Sequence, residues 1–264
     1  MTSSGAKNKI IFFGNGPLSD YALDVLRKDC EVIFHAHTRE DLSEAVRLKQ
    51  ENPDAHGVLA SFGVLIPSSV LEAFEPEGIL NIHPSLLPLY RGASPIESAI
   101  LAGDTTFGVS VMKLVKAMDA GPVYAQATLE NPPLDKDFLY KELAQAGASM
   151  VLSLLKKPVE PKNQDDSKAT YCSKLDKNMS ALTPETDTAE QTLRKIVAFQ
   201  GFPKPKYEFF GIKCIVIEAH MLKKGETAVL SIPCADDRII AVDRLQPEGR
   251  KVMDAKSFLN GYGK

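Results

Sequence analysis

The chain has 264 residues, 44% of them hydrophobic and 25% charged, a globular balance that supplies apolar material for one large domain or two ordinary ones. A formal net charge of -3 excludes a strongly basic nucleic-acid binder taken as a whole, and no window approaches eighteen consecutive apolar residues, which excludes a helical membrane span. Cys30, Cys172, Cys214 and Cys234 are scattered without a Cys-x-x-Cys, and the short polar stretch Met1 to Lys9 lacks a signal core, so no metal site and a cytoplasmic location are expected.

In chain order, Lys9 to Phe13 reads as a buried strand that ends in the turn Gly14-Asn15-Gly16-Pro17. Leu18, Tyr21, Ala22, Val25 and Leu26 then recur at helical spacing. Gly14-x-Gly16 lacks the third glycine of a dinucleotide fingerprint, since Ser19 stands there, and His35 stands where an acidic residue would close the next strand. It reads as a plain turn. Val32 to Phe34, Val58 to Ala60 and Ile79 to Ile82 repeat the strand signal, with helices predicted near 40–50, 68–75 and 94–102. Strand and helix in alternation predict an α/β fold with a mostly parallel sheet covered on both faces.

Val109 to Met112 and Pro122 to Ala125 predict a more antiparallel edge, followed by a long helix with the stripe Leu139, Leu143, Ala146, Met150 and Leu154. From Lys156 to Lys168 the chain turns polar, with Pro158, Pro161 and Asn163-Gln164-Asp165-Asp166, which reads as a linker. Beyond it come one helix (Ala189, Leu193, Ile196, Val197) and strands near 206–218, 227–232 and 238–245, the pattern of a small barrel or sandwich. The expected division is a first domain over 1–157, a linker over 158–168 and a second domain over 169–264. Residues 1–168 carry 16 Lys+Arg against 22 Asp+Glu, whereas 169–264 carry 15 against 12. The second domain is thus suited to face a polyanion, although ordinary surface scatter explains the same numbers.

The chemistry concentrates in Asn81-Ile82-His83-Pro84-Ser85-Leu86-Leu87-Pro88 and in Met118-Asp119-Ala120-Gly121. Asn81 and His83, two apart at a strand end, leave the same face, and ligands of open α/β sheets sit at the carboxyl ends of strands. An amide and an imidazole can donate to the oxyanion formed when an amine attacks a carbonyl; one such donor is worth about 3–4 kcal/mol of barrier. Asp119 can hold the imidazolium or relay the amine's proton. The bland alternative is that Asn81 and Asp119 are turn residues and His83 a capped loop histidine. A metal site on these three is disfavoured, because amides are poor ligands and no further Cys or His supports it.

The motif Asn81-x-His83-x-Ser85-Leu86-Leu87-Pro88 followed by Asp119-x-Gly121 resembles the signature of the 10-formyltetrahydrofolate-dependent formyltransferases. Tyr90-Arg91-Gly92-Ala93-Ser94-Pro95-Ile96, Leu101-Ala102-Gly103-Asp104, Ala169-Thr170-Tyr171-Cys172-Ser173-Lys174-Leu175 and Leu245-Gln246-Pro247-Glu248-Gly249-Arg250-Lys251-Val252-Met253 extend the resemblance to the branch of that family that formylates methionyl-tRNA. It implies a Rossmann-like catalytic domain followed by a small β-barrel-like, OB-type domain that binds tRNA. It implies Asn81, His83 and Asp119 as the catalytic trio and 10-formyltetrahydrofolate as formyl donor, with no metal. Phe62, Gly63, Val64, Leu65 and Ile66, with Ser85, Leu86, Leu87 and Pro88, would line the pterin pocket, and Lys116, Ala117 and Met118 would close over it. The implied acceptor is the α-amino group of initiator methionyl-tRNA, and a monomer with no membrane partner is expected.

One departure bears on the acceptor. The family's tRNA-modifying members carry a long Lys-, Arg- and Gly-rich loop after the second strand, whereas here Phe34-His35-Ala36-His37-Thr38-Arg39-Glu40 passes directly into an acidic helical stretch. A formyltransferase for a small amine, such as an amino sugar nucleotide or glycinamide ribonucleotide, and a formyl-folate hydrolase are the alternative activities. A degenerate folate- or RNA-binding protein is the non-enzymatic one.

Overall fold

The structure is a computed structural model that describes residues 7–263. The expectation that Met1 to Lys9 lacks a signal core lies, for residues 1–6, outside the described residues. The chain forms two compact units: one runs up to Ile96 and from Thr105 to Ser173, the other takes Glu97–Asp104 and the chain from Lys174 onward. No helix among the described residues is long and apolar enough to cross a membrane.

The first unit alternates as the periodicity predicts: β1 (Asn8–Gly14), α1 (Pro17–Asp29), β2 (Cys30–Ala36), α2 (Leu42–Glu51), β3 (His56–Ala60), α3 (Ser68–Ala73) and β4 (Ile79–His83). The short β5 (Arg91–Gly92) and α4 (Pro95–Ala102) follow, then β6 (Thr106–Lys113), β7 (Val123–Glu130), α5 (Lys136–Lys156) and β8 (Tyr171–Cys172). One sheet runs β2-β1-β3-β4-β6-β7. Its first four strands are parallel, and β6 and β7 join antiparallel as the expected edge. Ile10, Ile11, Phe12 and Phe13 are fully buried, because a central parallel strand is covered on both faces. Ile11 and Phe13 join the core beneath α2 and α3 with Leu42, Ala45, Val70 and Phe74.

The long helix α5 starts where Asp135 accepts from the Phe138 amide, an N-cap that satisfies one orphan donor. Its buried stripe is Leu139, Leu143, Ala144, Gly147, Ala148, Val151 and Leu154. The sequence stripe through Ala146 and Met150 is therefore corrected by one position. Gly147 explains the shift: a Cβ there would overlap Ile82, so only glycine lets the helix close onto β4, the strand that carries Asn81 and His83.

The stretch expected as a linker over 158–168 belongs to the first unit. Val123 and Lys162 exchange both backbone hydrogen bonds at 2.8 Å, and β8 pairs parallel with β5. The units divide between Ser173 and Lys174. Polar composition suggested a linker, but the Lys162 backbone pairs with Val123, Gln164 binds the carbonyls of Asp119 and Gly121, and Asp166 binds Arg91.

The second unit contains α6 (Ala189–Ala198), β9 (Lys206–Phe209), β10 (Ile212–Met221), β11 (Ser231–Pro233), β12 (Ile239–Pro247), β13 (Met253–Asp254) and α7 (Ala255–Tyr262). Thr188 and Gln191 form a capping box at the start of α6. The strands pair antiparallel in the order β11-β12-β10-β9, with β13 also on β12. This is a half-barrel, packed around Ile196, Phe209, Val216, Ile232, Ile240, Leu245 and Phe258.

Candidate active site

Asn81 and His83 stand at the carboxyl end of β4, both 5% exposed, and alternate with Ile82, which points into the core. Asp119 lies in the loop between β6 and β7, in a left-handed backbone conformation with φ 47. The three meet on one carboxylate oxygen. Asp119 Oδ1 is 3.5 Å from Asn81 Nδ2 and 3.7 Å from His83 Nδ1. Both separations are longer than an ordinary hydrogen bond, so Oδ1 faces two polar groups and is saturated by neither. Oδ2 is committed, accepting from the Gly92 amide at 2.8 Å.

His83 Nε2 lies 2.9 Å from the Tyr90 carbonyl oxygen. A carbonyl only accepts, so Nε2 carries a proton. In the neutral ring the lone pair therefore sits on Nδ1, facing Asp119. That nitrogen can take a proton and, once protonated, can donate to Asp119 or to a developing oxyanion. This is the division of labour that acyl transfer to an amine needs.

The expected pterin-pocket residues divide in two. Phe62 and Ile66 turn inward, with Phe62 edge-on to Phe13 at 5.8 Å, and Val64 packs against the same cluster. Their side chains pack into the core beneath the loop. Leu65 and Met118 are 80% and 64% exposed, which suits an apolar guest. Gly63 has φ 71 with open space beside it. Ser85 donates to the Leu89 carbonyl at 2.6 Å. Leu87 is buried, and its amide donates to Ser110 Oγ at 3.1 Å while its carbonyl accepts from Gln126. The Ser85–Pro88 loop is thus a rigid wall. Lys116 and Ala117 stand beside Met118 in the loop that carries Asp119.

Two residues that sequence reasoning gave no role complete the site. Gln164 donates to the carbonyls of Asp119 and Gly121 at 2.8 and 2.7 Å, and its Oε1 accepts from Arg91 Nε and Nη2 at 3.0 and 2.7 Å. Arg91 is only 3% exposed. Burial works against its charge, but hydrogen bonds to Asp166 and Tyr171 outweigh that and raise its pKa. For Arg91 the motif Tyr90-Arg91-Gly92 was a visible signal; Gln164, in a polar run, offered none.

An α/β sheet unit followed in the chain by an antiparallel half-barrel unit is the architecture of a formyl transferase. The formyl transferase family model matches residues 23–155, and that of the formyl transferase C-terminal domain matches residues 174–263. The chain belongs to the methionyl-tRNA formyltransferase family, being 33% identical over 244 residues to the Methylobacillus flagellatus member, which covers 87% of this chain and 78% of that one. The solved methionyl-tRNA formyltransferase from Clostridium thermocellum shares the fold with a TM-score of 0.68 at 18% identity, over 94% of this chain and 99% of that one. HypX from Aquifex aeolicus in complex with tetrahydrofolic acid gives 0.74 at 18% identity over 98% of this chain, which spans only 48% of HypX.

Proposed function

We propose that the chain transfers the formyl group of 10-formyltetrahydrofolate to the α-amino group of methionyl initiator tRNA. The observation that carries the reading is the meeting of Asn81, His83 and Asp119 on one carboxylate oxygen. In this reading the neutral amine attacks the formyl carbon and an oxyanion forms. Asn81 Nδ2 and protonated His83 Nδ1 donate to that oxyanion. The proton shed by the amine passes by way of Asp119 and His83 to the departing folate nitrogen, and the carbonyl re-forms. Exposed Leu65 and Met118 offer apolar faces to the donor's ring system, with Gly63 leaving the backbone open beside it. Charged tRNA and reduced folate occur together in the cytoplasm, where we place the reaction.

For the acceptor, the second unit offers Lys177, Lys204, Lys206 and Lys213 around a cavity of about 470 Å³, with Glu248 the one carboxylate on its wall. That suits a phosphate backbone. A second reading, transfer to a small amine, is favoured by the loop between β2 and α2. It is only five residues long, and Asp41 Oδ2 clasps it by accepting from the amides of His37 and Thr38 at 2.8 and 2.9 Å.

The test is to incubate the protein with 10-formyltetrahydrofolate and methionyl-tRNA and to measure tetrahydrofolate and formylmethionyl-tRNA together. Equal yields are expected. Tetrahydrofolate release that ignores tRNA and tracks an added amino sugar nucleotide would overturn the leading reading.

A further inference from the structure

We infer that Gln164, braced by Arg91, is the positioning residue that holds Asp119 in its working geometry. The inference rests on the proposed role of Asp119.

Asp119 sits where a non-glycine residue seldom sits, with φ 47. Such a backbone persists only when its surroundings over-determine it. The loop has no strand or helix of its own: its backbone closes through Ala120 N–H to Ala117 O at 3.3 Å and Lys113 N–H to Pro122 O at 2.9 Å, and Gln164 holds two further main-chain oxygens. Gln164 Nε2 donates to Asp119 O and to Gly121 O, bracketing the turn at 2.8 and 2.7 Å. The Gly92 amide then fixes the carboxylate through Oδ2. Backbone and side chain of Asp119 are thus held from opposite sides, and Oδ1 is left pointing at His83 and Asn81.

The chemistry of the partners fixes the orientation of the amide. Arg91 has donors only, so the glutamine oxygen must face it; the two carbonyls have acceptors only, so the NH₂ must face them. A glutamate would set a carboxylate against two carbonyls, and a lysine would set a cation against Arg91. Only an amide of this length satisfies all four bonds. Arg91 is in turn fixed by Asp166 at 2.6 Å, and β5, which begins at Arg91, pairs with β8. Gln164 therefore transmits the rigidity of that pairing to a loop that lacks it. The segment 158–168, which composition marks as a tether, supplies the brace.

The experiment uses Gln164→Met, which keeps the volume and deletes all four hydrogen bonds, and Gln164→Glu, which keeps the contact with Arg91. Formyl-transfer kcat should fall roughly 10- to 100-fold in both while the donor's KM holds, because a displacement of about 1 Å is enough for such a loss. In an Asp119→Asn background, Gln164→Met should cost less than about twofold more, since its effect runs through the Asp119 carboxylate. A further tenfold loss in that background would overturn the inference. A crystal structure of Gln164→Met reads the same question without activity. The Asp119 carboxylate should leave hydrogen-bond reach of the Gly92 amide, beyond about 3.5 Å, and an unmoved Asp119 refutes the role. Wild-type protein that formylates no amine would instead sink the functional reading and leave the crystallographic result standing.

Discussion

Gly92 donates its backbone amide to Asp119 Oδ2 at 2.8 Å, and this bond determines which carboxylate oxygen is turned toward His83. Because Tyr90 O already binds His83 Nε2, the ring meets Asp119 only through Nδ1. Proton movement in the proposed reaction is therefore confined to one nitrogen and one oxygen.

That confinement predicts a clean separation of binding from turnover. His83→Ala and Asp119→Asn should each lower formyl-transfer kcat by roughly 10²–10⁴-fold, and Asn81→Ala by about 10²–10³-fold. Donor affinity, measured by equilibrium dialysis with 10-formyltetrahydrofolate, should hardly move. A near-normal rate in any of the three removes that residue from the mechanism.

Glycine geometry around the site gives a stability prediction. A Cβ at Gly121 would land on the Lys113 carbonyl oxygen, a backbone atom that cannot rotate away. Gly121→Ala should cost about 1–3 kcal/mol in urea unfolding, the usual penalty of overpacking. The contrasting variant is Gly261→Ala in α7, where nothing lies within 4 Å. It should be neutral or stabilising by up to about 1 kcal/mol, from helix propensity alone. Equal costs for the two would show that the loop carrying Asp119 yields more readily than its contacts imply.

Legibility in the sequence followed the range of the physics. Burial patterning is local, so β1 to β4 and their helices were readable, and Asn81 and His83 could be put on one strand face from their spacing alone. The register of α5 was readable only to within one position, because Gly147 carries no hydrophobic signal and its closeness to Ile82 is a tertiary fact. The motif that implies a pterin pocket at Phe62 and Ile66 did not say which way their side chains turn, and they turn into the core. Gln164 was hidden for the opposite reason: a polar side chain in a polar run looks solvated until its four partners are in view.

The second unit yields a prediction about salt. Among the described residues, no ion pair engages Lys177, Lys204, Lys206 or Lys213, although Glu248 shares their cavity. If these lysines meet tRNA phosphates, replacing any one with alanine should weaken tRNA binding. Each replacement should also reduce the slope of log K against log salt by about 0.7–0.9, one released counterion per contact. Filter binding at several salt concentrations checks this. Slopes unchanged across all four variants would separate the cavity from the acceptor and strengthen the small-amine reading.

His220 supplies the pH dependence. Its Nδ1 lies 2.8 Å from Asp243 and its Nε2 2.9 Å from Glu226, and both partners are carboxylates. Only the imidazolium, with two N–H donors, can serve both. Hydrogen bonds to Asp243 and then Glu226 raise the His220 pKa against a smaller opposing effect of burial. A pKa raised on folding gives stability that is complete below the unfolded value of about 6.5 and is lost as pH climbs through the folded value. His220→Gln should therefore lower the urea midpoint at pH 6, and the gap from wild type should close as pH rises toward 9. The side chain is 39% exposed, so salt should shrink the gap at pH 6 as well. A gap that stays constant from pH 6 to pH 9 would mean that the imidazole contributes through packing and not through its charge.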